Sequence, residues 1–247
     1  MRGIVSCVAF LTIIPLGVDF DGLSLAAEFM PFFPLVGGLI GLVGGAVTWI
    51  LESVVSPYLA AVLGFGSILL LNGVQHADGL LDFGDGLMCH GSRSRKLRVM
   101  RDSQTGAGGY VLGFVIFSST VFALATFSRV WVIQALIVSE AAASLSMVVQ
   151  AGLGNPAHKG LSSSFVAHMH SKARHFKIVL STLFLLLVAV LLLGVVGILV
   201  TCAAIAVACV LLVVANRAFG GITGDVMGAT NEITRLVVLV VIMVGAR

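Results

Sequence analysis

Residues 178–216 read IVLSTLFLLLVAVLLLGVVGILVTCAAIAVACVLLVVAN, and none of them carries a charge. An α-helix rises about 1.5 Å per residue, so this run forms roughly 60 Å of helix, about twice the thickness of the hydrocarbon core of a bilayer. The sequence therefore predicts that the run crosses a membrane twice. Between the two crossings we expect a turn at Gly194-Val195-Val196-Gly197.

The whole chain has the composition of a membrane protein. Its 247 residues are 59% hydrophobic and 10% charged, with a mean hydropathy of +1.13, whereas about a quarter of the residues in a soluble domain are charged. No polar stretch is long enough to build a soluble core, so we expect a single polytopic domain over residues 1–247. The net charge of +3 is small and spread over loops, which argues against a nucleic-acid-binding protein.

Other uncharged runs predict the remaining spans, since about 20 apolar residues cross the hydrocarbon core as a helix. They cover residues 29–51, 58–74, 108–128, 130–151 and a last run that ends at 246. The predicted fold is an all-α bundle of about seven transmembrane helices. Residues 3–18, interrupted at Pro15, lack a signal-peptide cleavage site and predict an additional interfacial or re-entrant helix. The glycines of the first two spans favour a homodimer.

The three polar segments between spans are predicted to share one side of the membrane. They cover residues 75–107, 152–177 and 216–235, and two crossings separate each from the next. Together they hold 11 of the 14 Lys and Arg residues. The positive-inside rule places that side in the cytoplasm. We therefore expect a multi-pass protein of the cell membrane whose active site faces the cytoplasm.

The first polar segment opens with an acidic motif, Gln75-His76-Ala77-Asp78-Gly79-Leu80-Leu81-Asp82-Phe83-Gly84-Asp85-Gly86. Asp78, Asp82 and Asp85 are spaced i, i+4 and i+7, so on a helix they share one face. Like charges on one face repel, and a shared divalent cation with oxygen ligands removes that repulsion. The alternative is a solvated acidic helix end. Gln75 is a candidate neutral ligand, and His76 points elsewhere on the helix and ranks below the aspartates.

A second acidic face is predicted on the last helix. Asp225 and Glu232 are seven residues apart, and Gly228 between them permits close approach of another backbone or a substrate. The alternative is a pair of acids favoured by the dipole at a helix N-terminus, which fits Asp225 better than Glu232. Glu140 lies in the middle of a span, where an ionisable group suggests a functional site. It has no partner at helical spacing, so its role stays open.

A basic segment followed by a glycine-bearing turn is a candidate phosphate site. Arg98, Arg101 and Asp102 lie nearest that turn, and basic residues before a helix start suit an anion. The alternative is a loop that only fixes topology. No Gly-Lys-Ser/Thr follows, so this is not a Walker A loop. The full set of candidate phosphate- or nucleotide-binding residues is Arg98, Arg101, Asp102, Ser103, Gly106, Gly109 and, from the second polar segment, Lys159.

These groups together predict phosphotransfer from a donor linked to a nucleotide diphosphate. Carboxylates would bind one or two Mg²⁺ or Mn²⁺ ions that bridge the diphosphate, and basic side chains would hold its free oxygens. An acceptor hydroxyl would then attack phosphorus in line, with a spare carboxylate as base. The candidate metal ligands are Asp78, Asp82, Asp85 and Asp225, and the candidate catalytic residues are Asp82, Asp85, Asp225 and Glu232.

Three motifs resemble those of the cobalamin synthase family. They are residues 76–86, Arg101-Asp102-Ser103 with Gly106 and Gly109, and Gly220-Gly221-Ile222-Thr223-Gly224-Asp225-Val226-Met227-Gly228-Ala229. The resemblance covers nearly the whole chain. It implies a Mg²⁺-dependent membrane enzyme that joins adenosylcobinamide-GDP to α-ribazole, or its 5′-phosphate, giving the cobalamin and GMP. Many members carry an arginine near the residues that are Ser144 to Met147 here, and this chain has none between Val130 and His170.

Two other functions stay open at this point. Asp82-x-x-Asp85-Gly86 also resembles part of the signature of CDP-alcohol phosphatidyltransferases, but Cys89-His90 stand where that signature has Ala-Arg. A cation-coupled transporter is the second alternative. Transporter sites usually lie near the midplane of the membrane between internal repeats, whereas the acids here cluster near one surface and no repeat is visible.

Overall fold

The computed structural model describes residues 2–17 and 21–245, and these residues form an all-helical protein. A 3₁₀ turn at Met30–Phe32 precedes α3. The α-helices are α1 (Arg2–Leu11), α2 (Asp21–Glu28), α3 (Phe33–Leu51), α4 (Pro57–Leu71), α5 (Gln75–Met88), α6 (Arg93–Val99), α7 (Ala107–Leu124), α8 (Val132–Leu153), α9 (Leu161–Met169), α10 (Arg174–Leu193), α11 (Val196–Ala218) and α12 (Gly224–Gly245).

Six stretches within the described residues are long and apolar enough to cross a membrane. They are Met30–Leu51 and helices α7, α8, α10, α11 and α12, and the bent pair α4–α5 brings the number to seven when it is counted as one span. The predicted bundle is thus confirmed, as is the additional short apolar helix at the N-terminus. The turn predicted within 178–216 is also confirmed, since α10 ends at Leu193 and Gly194 adopts a φ of 61°.

Helix α8 is the centre of the bundle. Its residues from Val138 to Gly152 are all buried, and it packs against α3, α10, α11 and α12. The closest neighbour is α3, because small residues on α3 face α8. A Cβ added at Gly41 would lie 2.2 Å from the carbonyl oxygen of Leu136, and one at Gly37 would lie 2.5 Å from that of Glu140. These glycines are therefore used inside one chain.

This packing bears on the argument for a homodimer, which stays a prediction. Gly44 and Gly64 lie between α3 and α4, where a Cβ added at either would come within 2.4 Å of the other helix. The glycines of the first two spans that are buried in this way serve contacts within the chain. Their pattern consequently gives no support to self-association, although it does predict close helix approach correctly.

The second predicted span ends earlier than expected. Helix α4 stops at Leu71, and α5 starts at Gln75 with its axis turned by 92° from that of α4. Gly73 and Val74 make the bend, both with φ values near 61°, which is uncommon for a residue with a branched side chain such as valine. The bend lays the acidic motif of α5 against α7 and α12.

Candidate active site

Two glycines allow α5 and α12 to cross in close contact. A Cβ added at Gly79 would lie 3.0 Å from the Cα atom of Asp225, and a Cβ added at Gly228 would lie 3.1 Å from the Cα atom of His76. Larger side chains at either position would separate the helices. The crossing therefore depends on the glycines, and it brings the two acidic faces predicted from the sequence together.

Four carboxylates gather at this crossing. The charges of Asp78, Asp225 and Asp85 all act on Asp82, and that of Asp78 also acts on Asp225. Asp78 is exposed, whereas the other three side chains are half-buried. Within the described residues, every ion pair closer than 4 Å belongs to Arg235, so none of the four carboxylates is neutralised by a contacting cation. The cluster therefore carries concentrated negative charge at an accessible surface.

Asp85 is held by the first turn of α7. One of its carboxylate oxygens accepts a hydrogen bond from the backbone N–H of Gly106 at 2.6 Å, and the other accepts from the N–H of Gly109 at 2.8 Å. These are free N–H groups of a helix N-terminus, which commonly bind anions. The sequence predicted that the two glycines contact phosphate, but here their partner is Asp85. Each carboxylate oxygen retains a further lone pair for another ligand.

The predicted basic residues lie at the surface of the protein. Arg98, Arg101 and Lys159 are exposed, and so are Asp102 and Ser103. Asp102 accepts a hydrogen bond from the backbone N–H of Gln104 at 3.1 Å and thereby shapes the turn before α7. The charge of Arg101 acts on Asp225, which places the basic segment on the same end of the bundle as the last helix.

The loop after α8 is tied to the loop before α12. The N–H of Ile222 donates to the carbonyl of Asn155, and the N–H of Ala157 donates to the carbonyl of Ile222, both at 2.9 Å. This brings His158 close enough to Asp225 for their charges to interact. The sequence did not single out His158, since no helical spacing or motif links residue 158 to residue 225. All three predicted polar segments thus meet at one end.

Comparison with known proteins decides the family. The model of the family described as cobalamin-5-phosphate synthase matches residues 3–243. This chain belongs to the cobalamin-5-phosphate synthase family. The relatives described below all bear the name adenosylcobinamide-GDP ribazoletransferase. The protein from Methanocella arvoryzae is 34% identical to it, over 97% of this chain and 94% of the relative.

The similarity extends to distant organisms. The relative from Picrophilus torridus is 31% identical over 99% of this chain and 98% of its own length. The relative from Shigella flexneri is 30% identical over 95% and 96%, respectively. No solved structure matches the chain. The resemblance noted in the sequence is therefore confirmed, and the matches run through both acidic helices and the basic segment.

In this family member, Glu232 lies away from the surface. Its side chain is fully buried and accepts a hydrogen bond from Nη1 of Arg235. Arg235 also contacts Glu140 on α8, with Nη2 3.0 Å from Oε2, and Asn231, with Nη2 3.2 Å from Oδ1. Glu140 thus gains the partner that the sequence did not show. The structure gives Glu232 a place in a buried ionic network one turn or more below the surface carboxylates.

His76, which helical spacing places away from the aspartates, lies beside one of them in the structure. His76 and Gln75 line a cavity of about 150 Å³ that also reaches Asp225. The side-chain amide of Gln75 donates to the carbonyl of Phe10 at 3.5 Å, so it is attached to α1. His76 was missed as a cavity residue because the cavity forms between helices far apart in sequence.

The carboxylate set fits a hard divalent cation. No group of three or more His, Cys, Asp or Glu side chains within residues 2–17 and 21–245 is arranged at metal-binding distances. Mg²⁺, however, is commonly held by one or two carboxylates together with water and substrate phosphates, without a cage made by protein alone. Asp78 and Asp225 interact electrostatically across the helix crossing and have no contacting cation within the described residues, so they supply such a partial site.

Proposed function

We propose that this protein is an adenosylcobinamide-GDP ribazoletransferase, which joins adenosylcobinamide-GDP to α-ribazole or its 5′-phosphate and releases GMP. The observation that carries the proposal is the meeting of Asp78, Asp82 and Asp225 at the crossing of α5 and α12. The full-length relatives with that name support it, because their similarity includes both helices. The reaction is the last stage of cobalamin synthesis.

The reaction exchanges one phosphorus–oxygen bond for another. A ribose hydroxyl oxygen of the acceptor, other than the 5′ oxygen that carries the phosphate in α-ribazole 5′-phosphate, forms a bond to the phosphorus that carries the cobinamide. The bridging bond of the diphosphate breaks, and GMP leaves. Asp82 lies in the middle of the carboxylate cluster, within reach of the charges of the other three. We assign Asp82 to receive the proton of the attacking hydroxyl, because a base must lie beside the attacking oxygen.

The remaining polar residues position the diphosphate. Asp78 and Asp225 would hold Mg²⁺ or Mn²⁺, which when bound offsets the negative charge of the phosphates, and this leaves Asp82 free to act as the base. Arg101 is the basic residue of this set whose charge acts on Asp225, and the exposed Arg98 and Lys159 are the further candidates for contacts to phosphate. Asp85 orders the first turn of α7 beside the cluster through its two backbone contacts.

The active site is proposed to face the cytoplasm. Arg101, His158 and Asp225 come from the three polar segments and lie close enough for their charges to interact. These segments contain 11 of the 14 Lys and Arg residues, and cytoplasmic loops of membrane proteins are the ones enriched in these residues.

The experiment incubates the purified protein with adenosylcobinamide-GDP, α-ribazole and Mg²⁺, and measures GMP by chromatography. GMP and cobalamin should appear in equal amounts, EDTA should stop both, and excess Mg²⁺ or Mn²⁺ should restore them. A parallel reaction contains a CDP-alcohol and an alcohol acceptor. Release of CMP there, without GMP from the first mixture, would contradict the proposal and favour a CDP-alcohol phosphotransferase.

A further inference from the structure

The cavity beside Asp225 has a strongly aromatic wall. Phe10 of α1, Phe33 of α3 and Phe165 of α9 line it and contact one another. The ring centroids of Phe10 and Phe165 are 4.8 Å apart, those of Phe33 and Phe165 are 5.8 Å apart, and Phe10 stacks on Phe33 at 5.9 Å. Three helices thus contribute one ring each to an apolar wall, to which Phe33 (1% exposed) and Phe165 (2% exposed) present only a small part of their surface.

Two polar atoms in the same cavity lack partners within the described part of the chain. They are Nδ1 of His76 and Oγ of Ser162, both buried, and the side chain of Ser162 is only 2% exposed. Buried polar atoms are normally hydrogen-bonded, because leaving water without a new partner costs free energy. A histidine nitrogen and a serine hydroxyl can both donate a hydrogen bond. Both atoms are covered in this structure, and a rotation of the Ser162 side chain about its Cα–Cβ bond would turn its hydroxyl into the cavity as a donor to a ligand.

We propose that this cavity binds the heteroaromatic base of the acceptor nucleoside, an inference that rests on the proposed function. Its volume of about 150 Å³ is similar to that of a protein cavity that holds benzene. The base of α-ribazole is a benzimidazole, with apolar ring edges and a single ring nitrogen free to accept a hydrogen bond. The aromatic wall would border the base, and the hydroxyl of Ser162, after that rotation, would donate to that nitrogen.

The position of the cavity also suits the acceptor. Asp225 forms part of its lining and interacts electrostatically with Asp78, whose charge acts on Asp82. A nucleoside whose base lies against this wall would direct its sugar toward the carboxylates that activate the attacking ribose hydroxyl. The guanine of the donor is a poorer occupant, because its edge presents several donors and acceptors at once and its phosphates belong beside the exposed arginines.

The test separates acceptor binding from donor binding. Ser162→Ala removes only the hydroxyl, and Phe165→Leu removes a ring while keeping the site apolar. Ser162→Ala should weaken binding of α-ribazole to the purified protein by about tenfold, the upper effect of one lost hydrogen bond. Phe165→Leu, which loses an aromatic contact, should weaken it by up to about tenfold. The KM for α-ribazole should rise equally, while kcat and the KM for adenosylcobinamide-GDP stay unchanged. Phe122→Leu, at a 61% exposed position on α7, is the matched control.

Three results would overturn the assignment. One is unchanged affinity for α-ribazole in both variants, provided they elute as folded protein. Another is a raised KM for adenosylcobinamide-GDP with unaltered KM for α-ribazole, which would place the guanine in the cavity. The third is displacement of bound α-ribazole by guanosine. If the parent protein releases no GMP with any acceptor, the proposed function itself fails, and equilibrium binding of α-ribazole without the donor distinguishes that failure from a wrong cavity.

Discussion

Replacing Arg235 with methionine removes the cation on which two buried carboxylates depend. The Arg235 side chain is fully buried, as is that of Glu232, and Glu140 is 2% exposed. Methionine keeps an unbranched apolar chain at the site but leaves both carboxylates without their partner. Removing one member of a buried ion pair costs about 3–5 kcal/mol, chiefly because an uncompensated charge stays buried. We expect a destabilisation in this range for Arg235→Met.

The assay is the thermal midpoint of the detergent-solubilised protein, read as the fraction that remains monodisperse after heating. For a chain of this size, about 1 kcal/mol shifts the midpoint by roughly 2–4 °C, so Arg235→Met should lower it by roughly 6–20 °C. Arg129→Met is the matched control. Arg235 lies over the ring of Phe65, 5.3 Å from its centroid. Arg129 likewise lies over a ring, 4.3 Å from the centroid of Trp49, but it is exposed. Its loss should shift the midpoint by no more than about 3 °C.

A compensated variant tests the physical cause. In the triple variant Glu140→Gln/Glu232→Gln/Arg235→Met, both carboxylates are replaced by neutral amides. Replacing a whole buried ionic network costs far less than removing one member. The thermal midpoint should therefore recover most of the decrease caused by Arg235→Met alone. A midpoint of Arg235→Met within 2 °C of the parent, or a triple variant no more stable than the single one, would refute the reasoning.

Two other predictions follow from the contacts of α5. Gly79→Ala should reduce GMP release at least about tenfold, since its Cβ would lie 3.0 Å from the Cα atom of Asp225. The control is Gly66→Ala on α4, where a Cβ meets nothing within 4 Å. This control should keep full activity, and its free energy of unfolding should rise by up to about 1 kcal/mol. Parental turnover in Gly79→Ala would contradict the helix crossing. Asp85→Asn should destabilise the start of α7 by about 0.5–2 kcal/mol, because Asp85 accepts hydrogen bonds from the N–H groups of Gly106 and Gly109. Hydrogen exchange of these two amides should become faster. Unaltered exchange would show that Asp85 does not stabilise the start of α7.

The membrane spans could be predicted from the sequence because the bilayer fixes how long an uncharged run must be. The double crossing of 178–216, its turn at Gly194 and a last helix starting beside Asp225 are all present. The sharp bend before α5 could not be predicted. It depends on two left-handed residues, one of them Val74, and a valine carries no local preference for that conformation.

The site was partly predictable for a similar reason. Helical spacing places Asp78, Asp82 and Asp85 on one face, and the count of crossings puts Asp225 on the same side of the membrane. Spacing does not reveal partners on other helices. Glu140 and Arg235 are 95 residues apart in sequence, and only the packing of α8 against α12 brings them together.

Glycine spacing likewise does not reveal which helix is the partner. Small residues at regular spacing on α3 predict close packing, but they do not identify the neighbouring helix. Here the neighbour of Gly37 and Gly41 is α8 of the same chain, where the sequence had favoured a second copy. The cavity wall of Phe10, Phe33 and Phe165 is equally invisible in sequence, since each ring comes from a different helix.

The most direct test of the carboxylate site is Mg²⁺-dependent GMP release by Asp82→Asn, compared with Glu28→Gln, an exposed acid on α2 outside the site. Both variants should insert into membranes and purify like the parent. Asp82→Asn should lower GMP release from adenosylcobinamide-GDP and α-ribazole by at least about a hundredfold, the contribution expected of a general base, and Glu28→Gln should leave it unchanged. GMP release by Asp82→Asn within about twofold of the parent would contradict a reaction centred on the crossing of α5 and α12.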